Sequence, residues 1–331
     1  MSINDRVEKI KTEINKINIK IEDSTPQNTF AYMLIDGISS SESFLMEAIY
    51  RSKKIPYLVV GGSAGSLSIN SGKAGLNFNE TLIYSNGSVL TSKATMVLIK
   101  LKSDFRYGIF KSQNYKATNA CFTVSDASLE KRIVENVIYN NKKITLLQAV
   151  AEYFKVSQEK AIEKLNDYTF AVKIGDEFFI RSVVNFKTDG STPFYCDIAT
   201  GDTLYLMEKT DFAQQTKSDY EKYSRDKPKP IGAIFNDCIL RRLVNLKNLA
   251  SLNVFNEISN IAGFSTFGEI CGVNINQTLL SIFFYKIEKN ERFKDEYINN
   301  LPLKIADFIA TFSKREKQKL QSEVYQLQNE L

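Results

Sequence analysis

The sequence contains no histidine, and this limits the chemistry that its 331 residues can perform. Histidine is the most common general base, a member of the Ser-His-Asp and Cys-His catalytic sets, and the most common metal ligand. Carboxylate or lysine chemistry stays open. The composition therefore disfavours most enzyme classes, and we predict a non-enzymatic chain that holds neither a metal nor a cofactor.

The cysteines do not form a metal-binding or redox motif. The sequence has four, which stand far apart at Cys121, Cys196, Cys238 and Cys271. No pair has the C-x-x-C spacing of a zinc site or a thioredoxin-like motif. Free cysteines of this kind are usually buried as small apolar side chains. We expect reduced thiols without a disulfide framework.

Two glycine-containing segments follow apolar runs, Gly61-Gly62-Ser63-Ala64-Gly65 and the segment from Gly263 to Gly268. A P-loop needs four residues between its glycines, then Lys followed by Ser or Thr. The distance from Gly65 to Gly72-Lys73-Ala74 is too long for this motif, and Ala74 stands where the motif needs Ser or Thr. Nucleotide binding is not favoured, and both segments are predicted to be turns in which glycine permits positive φ.

The first segment of the chain has the pattern of a coiled-coil helix. Its apolar residues are spaced 4, 3, 4, 3 and 4, at Ile3, Val7, Ile10, Ile14, Ile17 and Ile21. Pro26 is expected to end this helix. The narrow seam favours dimerisation through residues 1–23; the alternative is a helix that packs on its own domain.

A second apolar seam lies at the end of the sequence. From Ser313 the chain is predicted to be helical, with Leu320, Val324, Leu327 and Leu331 spaced 4, 3 and 4. The pattern is unfinished at the last residue. We therefore expect a signalling helix that continues into an output domain in the full-length protein.

Between these helices the chain alternates strand and helix signals. Strands are predicted at 30–35, 57–60, 82–84, 95–101, 170–174, 177–183, 203–207, 231–237 and 278–287, and helices at 41–52, 144–154, 158–165 and 211–224. Asn86-Gly87 indicates a hairpin turn.

After a polar linker at 224–230 the opening pattern returns. A strand ends in Asp237 as the first strand ends in Asp36, and a glycine segment again follows the next apolar run. The repeat predicts an α/β fold of two related halves with mixed β-sheets, flanked by helices.

Charge and hydropathy narrow the cellular setting. The net charge of +5 is spread along the chain, and the basic run at 314–319 includes its own glutamate, which is typical of a solvated helix face. No apolar run reaches the 18 or so residues of a membrane span, and the N-terminus lacks the pattern of a secretion signal. We expect a cytoplasmic protein that does not bind nucleic acid.

The run from Ile261 to Ile270, followed by Asn276-Gln277-Thr278, resembles the C-terminal half of the FIST family. In that family a Gly-Phe-x-x-x-Gly-Glu-Ile segment precedes an Asn-x-Thr that opens a strand. The segment from Phe235 to Cys238 with Arg241 is similar to another of its strands, and Gly61-Gly62 is similar to the Gly-Gly of its N-terminal half. The resemblance covers about residues 28–312.

The resemblance implies a cytosolic sensor of signal transduction, attached to a chemoreceptor, kinase or cyclase output, with amino acids as the proposed ligands. The F-box of eukaryotic members is absent. The residues that we single out as ligand-binding candidates are Asp36, Gly61, Gly62, Ser63, Asp237, Arg241, Gly263, Phe264, Glu269 and Asn276.

These residue types suit a small zwitterion or carboxylate. A glycine turn after a strand exposes backbone N–H groups that can hold a carboxylate. Arg241 could clamp one with two parallel hydrogen bonds, while Glu269 or Asp36 accepts from an ammonium group. The alternative is that Glu269 only caps a turn and Arg241 only pairs with Asp237, four residues away.

Taken together, the sequence predicts four segments: a coiled-coil helix at 1–24, a FIST N-like half with central strands at 28–225, a FIST C-like half at 226–312, and a signalling helix at 313–331. The predicted function is sensing of a small polar metabolite by a homodimer. Two other functions stay open: a dimeric scaffold, and a histidine-free hydrolase that uses glycine turns as oxyanion holes.

Overall fold

The structure is a computed structural model that describes residues 3–70, 73–77, 81–288 and 291–330. Its helices are α1 Ile3–Lys16, α2 Glu42–Ser52, α3 Leu146–Phe154, α4 Gln158–Lys164, α5 Phe212–Ser224, α6 Ile239–Val244, α7 Glu296–Asn299 and α8 Leu301–Glu330. No helix in these ranges is long and apolar enough to cross a membrane.

The strands outnumber the helices, and most are short. In chain order they are β1 Thr29–Asp36, β2 Leu58–Ala64, β3 Ser66–Asn70, β4 Lys73–Asn77, β5 Ile83–Ser85, β6 Ser88–Leu90, β7 Ala94–Lys100, β8 Phe105–Ser112, β9 Tyr115–Ser128, β10 Ile133–Tyr139, β11 Lys142–Ile144, β12 Tyr168–Ile174, β13 Glu177–Arg181, β14 Thr192–Pro193, β15 Thr203–Lys209, β16 Gly232–Cys238, β17 Ile261–Thr266, β18 Glu269–Cys271, β19 Asn274–Ile275 and β20 Leu279–Lys286.

The chain forms two compact units, each built from two stretches. The first contains Met1–Asn114 and Asp211–Ile305, and the second contains Tyr115–Thr210 and Ala306–Leu331. The division of the chain into four segments that the sequence suggested stays a prediction.

The first unit contains a five-stranded mixed sheet in the order β19-β18-β2-β1-β7. β1 pairs parallel with β2 and antiparallel with β7. Parallel neighbours need a crossover, which α2 supplies. The apolar run of β1 is buried along most of its length, as expected of a central strand.

A second mixed sheet in the same unit has the order β17-β16-β20-β8. β16 pairs parallel with β17 and antiparallel with β20, and α6 lies between the two parallel strands in the chain. Both sheets thus contain a central strand, a helix that leads to its parallel neighbour, and an antiparallel neighbour on the other side, in the same order along the chain. This confirms the predicted α/β fold with two related halves and mixed sheets.

The predicted glycine turns are wrong at Gly61-Gly62 and at Gly263, although the chain does bend at Phe267-Gly268 between β17 and β18. β2 continues through Gly61, Gly62 and Ser63, and β17 continues through Gly263 and Phe264. The glycines serve close strand approach, because a Cβ on Gly62 would lie 2.4 Å from the Cγ2 of Thr266. The sequence pattern suggested that these glycines form turns, whereas they lie within strands whose neighbours leave no room for a side chain. The Asn86-Gly87 hairpin between β5 and β6 is confirmed.

The first helix ends earlier than predicted, at Lys16 and not near Pro26. Ile17 and the polar and β-branched residues after it are weak helix formers. Val7 and Ile14 are buried within the chain, whereas Ile17 is exposed. The Arg6 guanidinium lies 4.7 Å from the ring centre of Phe44 on α2. The seam therefore packs on its own unit, the alternative that the sequence left open.

The second unit is built on an antiparallel sheet in the order β11-β10-β9-β15-β12-β13, with β14 beside β10. The phenyl rings of Phe122 and Phe194 flank that of Phe170 at 6.2 and 6.1 Å. Thr145 and Gln148 form a capping box at the start of α3, which satisfies two backbone N–H groups.

The C-terminal helix begins at Leu301, twelve residues before the predicted start at Ser313. Its residues Phe308, Phe312 and Arg315 are buried, and Leu320 is half-exposed. The side chains of Val324 and Leu327, and all of Leu331, lie outside the described residues. A coiled coil through this seam stays a prediction.

Candidate functional site

Asp237 and Arg241 form a buried ion pair at the end of β16. Arg241 Nη1 donates to Asp237 Oδ1 at 3.0 Å, and Nη2 donates to Thr216 Oγ1 on α5 at 2.8 Å. The guanidinium stacks 4.5 Å from the ring centre of Phe212. The turn from β16 into α6 brings Arg241 back over Asp237, since four residues make about one helical turn.

One nitrogen of the Arg241 guanidinium has no partner in the described part of the chain. Its side chain is fully buried, and its Nε has no hydrogen-bond partner among the described residues. An unsatisfied buried donor costs roughly 1–3 kcal/mol, and more on a charged group. A buried donor without a partner in a native fold calls for an explanation. A role in binding a ligand is one such explanation.

The Asp237 carboxyl is held between opposing influences. Burial raises its pKa, while the charges of Arg241 and Arg242 act in the opposite direction. Arg242 Nη1 lies 3.6 Å from Asp237 Oδ2, and its side chain is half-exposed. Asp237 itself keeps 14% of its side chain exposed, so the pair is within reach of solvent.

Glu269, on β18, is the second buried acidic group. Thr266 Oγ1 donates to its Oε1 at 2.6 Å. The backbone N–H of Thr278 and the thiol of Cys238 also interact with this carboxyl, although Oε2 makes no full hydrogen bond among the described residues. Burial raises the pKa of Glu269 well above its ordinary value, and the charge of Asp237 raises it further, against the opposing bond from Thr266. Burial therefore favours the neutral carboxylic acid over the carboxylate at this position.

Cys238 lies beside these groups and is completely buried. Burial raises the pKa of its thiol well above the ordinary value, and the neighbouring Glu269 raises it further. A protonated buried thiol is a poor nucleophile. Cys238 therefore gives no support to the alternative of a histidine-free hydrolase.

The strand pairing joins Glu269 to the N-terminal half. Glu269 lies opposite Gly62, and Ser63 donates its N–H to the carbonyl of Gly268 at 2.7 Å. The hydroxyl of Ser63 donates to Glu42 Oε1 at 2.8 Å. Asn276 is buried next to Gly268, since a Cβ there would lie 3.2 Å from its Nδ2.

The predicted residues thus fall into two groups. Those from both halves that adjoin the buried acids are Gly61, Gly62, Ser63, Asp237, Arg241, Glu269 and Asn276. Asp36 instead binds backbone: its Oδ1 accepts from the N–H of Ile38 at 2.9 Å, and its Oδ2 from the N–H of Ser92 at 2.7 Å. Gly263 and Phe264 are exposed on the outer strand β17.

Three residues that adjoin the site were not found from the sequence. Thr216 and Phe212 come from α5, more than twenty residues before Arg241, and nothing in the local pattern links them. Thr266 lies within the motif that carried the family resemblance, and its spacing of three residues from Glu269 was a usable signal.

The fold and this site define an α/β domain made of two related halves that share a buried polar cluster. The FIST N domain model matches residues 2–137, and the FIST C domain model matches residues 147–272. The chain belongs to the FIST family. FIST domains are sensor domains of signal-transduction proteins and are generally non-catalytic. Neither a curated protein nor a solved structure gave a significant match.

Proposed function

We propose that the chain senses a small polar metabolite, an amino acid or a related carboxylate, at the cluster of Asp237, Arg241 and Glu269. The observation that carries this proposal is the pair of unused polar atoms in one buried region. Arg241 Nε is a donor without an acceptor, and Glu269 Oε2 makes no hydrogen bond among the described residues. A ligand with a carboxylate and an ammonium group supplies both partners.

The charge balance favours an anionic or zwitterionic ligand. Two guanidinium groups, those of Arg241 and Arg242, lie at the single carboxyl of Asp237, and burial favours the neutral form of Glu269. The surroundings of Asp237 therefore offer more positive than negative charge to a ligand. A guanidinium that is already oriented by Asp237 and Thr216 loses little rotamer freedom when it binds a carboxylate.

Ligand binding at this place would act on both halves of the first unit. Arg241 follows the central strand of one sheet, whereas Glu269 lies on β18, which pairs with β2 of the other sheet. A molecule that bonds both side chains stabilises one spacing of the two sheets over others. Differential affinity for two spacings is what a sensor needs.

We further propose that the change is passed through α8 to an output such as a chemoreceptor, kinase or cyclase, and that the protein works in the cytoplasm. The support is the length of this continuous helix, Leu301–Glu330, together with the role of FIST domains in signal transduction.

A thermal-shift screen of the twenty amino acids and a panel of small carboxylates tests the proposal. We expect at least one compound to raise the melting temperature, because a ligand that binds only the folded state stabilises it. If none does, the proposed ligand class is wrong.

Calorimetry of the responsive compound then tests the site. Arg241→Lys keeps the charge but removes Nε, and Glu269→Gln keeps the shape but changes the donor pattern. Each should weaken binding by about tenfold to a hundredfold, the loss of one or two hydrogen bonds to charged groups. Arg181→Lys, at a fully buried arginine of the second unit, is the matched control. Unchanged affinity in both test variants would place the ligand elsewhere.

A further inference from the structure

β17 is an unprotected strand edge. It is the outermost strand of the sheet β17-β16-β20-β8, and its residues from Ile261 to Ser265 are exposed. Native proteins usually protect such edges with lysine, proline or a bulge. The sequence of β17, Ile-Ala-Gly-Phe-Ser-Thr, has neither a charge nor a proline. Such an edge is a template for another strand.

The internal repeat indicates what this edge accepts. Gly263 lies opposite Phe235 as Gly61 lies opposite Met33, so β17 and β2 are equivalent strands of the two halves. The outer edge of β2 is covered by β18, which pairs with it antiparallel. The equivalent edge of β17 has no strand beside it among the described residues.

We propose that β17 pairs antiparallel with β17 of a second copy of this chain. The same uncharged strand on both sides allows this twofold contact without like-charge repulsion. β18, which covers the equivalent edge, already lies between β2 and β19 and is not available to β17. The pairing joins the two four-stranded sheets into one continuous sheet.

The backbone pattern fixes which groups make the contact. The carbonyl of Asn260 accepts from the N–H of Ala233 on β16. Since backbone groups alternate in direction along a strand, the N–H and C=O groups of Ala262 and Phe264 also point towards β16. The N–H and C=O groups that point outward belong to Ile261, Gly263 and Ser265. Phe264 is then a non-hydrogen-bonded position towards the second copy.

A twofold axis places one residue of β17 opposite its own copy. We assign that place to Phe264, which is 46% exposed and is the largest exposed side chain of the strand. Two phenylalanines at a non-hydrogen-bonded pair lie about 4.5 Å apart at Cα and bury each other. Six residues on each side make an interface below the roughly 1,200 Å² of standard complexes, so the dimer is expected to dissociate at accessible concentrations.

Sedimentation velocity over a range of concentrations tests the proposal. We expect a concentration-dependent dimer that Phe264→Lys weakens at least tenfold, because two ammonium groups would meet at the axis. Val89→Lys, at a comparably exposed valine on β6, should leave the dimer unchanged. Since both positions are exposed, both variants should keep the melting temperature. A chain that stays monomeric, or a dimer that Phe264→Lys does not weaken, would overturn the proposal.

Cysteine cross-linking tests the register. In a Cys121→Ser background, which removes the exposed cysteine, Phe264→Cys should form an intermolecular disulfide on mild oxidation. Ser265→Cys should not form one, because residue 265 would lie opposite residue 263 of the second copy, and the two introduced cysteines would be too far apart for a disulfide. Cross-linking that is equal at both positions, or greater at Ser265→Cys, would contradict the register.

Discussion

Gly61 lies directly opposite Met33 in the parallel pair of β2 and β1, and a Cβ on Gly61 would stand 1.8 Å from the carbonyl oxygen of Met33. The φ of Gly61 is +149°, a conformation that side chains disfavour. The glycine therefore allows the two central strands to approach. Gly263 repeats the relationship with Phe235, where a Cβ would stand 2.3 Å from the carbonyl oxygen.

We expect Gly61→Ala to destabilise the chain by at least about 4 kcal/mol or to prevent folding, because the clash is with backbone that is held by two neighbouring strands. Gly87→Ala is the matched control. Gly87 also has a positive φ, +73°, but its Cβ would meet nothing within 4 Å, so the cost should be about 1 kcal/mol. Urea unfolding of both variants measures the difference. Equal costs would show that the strand contact does not require glycine.

The packing of α1 leads to a second prediction. Val7 is fully buried in the first unit, whereas Ile17 is 55% exposed. Removing two buried methyl groups in Val7→Ala should lower the free energy of unfolding by about 1.5–2.5 kcal/mol. Ile17→Ala should change it by less than about 0.5 kcal/mol. A dimer that Val7→Ala dissociates, with unchanged stability of the monomer, would instead support the coiled coil that the sequence suggested.

Strands that follow continuous apolar runs, such as β1 and β20, could be predicted from the sequence, whereas β8, β9 and β10 were not predicted. The repeat of the two halves could be predicted for the same reason, since Asp36 and Asp237 close equivalent runs. The role of Gly61 could not be predicted, because a turn glycine and a strand glycine differ only in the neighbour that approaches them.

The candidate site was predictable only in part. Arg241 and Glu269 were singled out by residue type and by the family motif, and both proved to be buried beside Asp237. Thr216 was not found, because α5 reaches Arg241 through tertiary packing alone. Asp36 has the same residue type as Asp237, but its backbone bonds depend on a loop that no local pattern specifies.

The third prediction concerns a charged anchor of α8 in the second unit. Arg315 is buried, donates to both oxygens of Asp202 at 3.2 and 2.7 Å, and also bonds Asp197. Burial alone would lower its pKa, but the charges of Asp202 and Asp197 raise it, so the guanidinium stays charged. Arg315→Ala leaves two buried carboxylates without their cation, which costs about 3–5 kcal/mol.

This cost should appear first in the helix itself. Hydrogen–deuterium exchange of α8 should accelerate in Arg315→Ala, and the melting temperature of the second unit should fall. Lys314→Ala, at the exposed neighbouring position, is the control and should leave both unchanged. If α8 in Arg315→Ala exchanged as slowly as in the parent chain, the helix would be held by Phe308 and Phe312 alone.

The last prediction is a pH dependence that arises at Glu269. A free glutamic acid ionises near pH 4.5, but burial keeps this carboxyl protonated in the folded chain well above that pH. Below pH 4.5 both states hold the proton. Above it the unfolded chain loses the proton while the folded chain keeps it, so the free energy of unfolding falls as pH rises, by at most about 1.4 kcal/mol per pH unit, until the folded pKa is reached.

Glu269→Gln removes this titration. The variant should therefore gain stability relative to the parent chain as pH rises above 4.5, and the difference between the two unfolding free energies is the quantity to measure. Glu159→Gln is a control of opposite sign, because hydrogen bonds from its own backbone N–H and from Ser157 lower the pKa of Glu159. That variant should lose stability relative to the parent chain as pH rises through the same region. A difference for Glu269→Gln that does not change with pH would mean that the carboxyl has the same pKa in the folded and unfolded chains, which contradicts the effect of burial at this position.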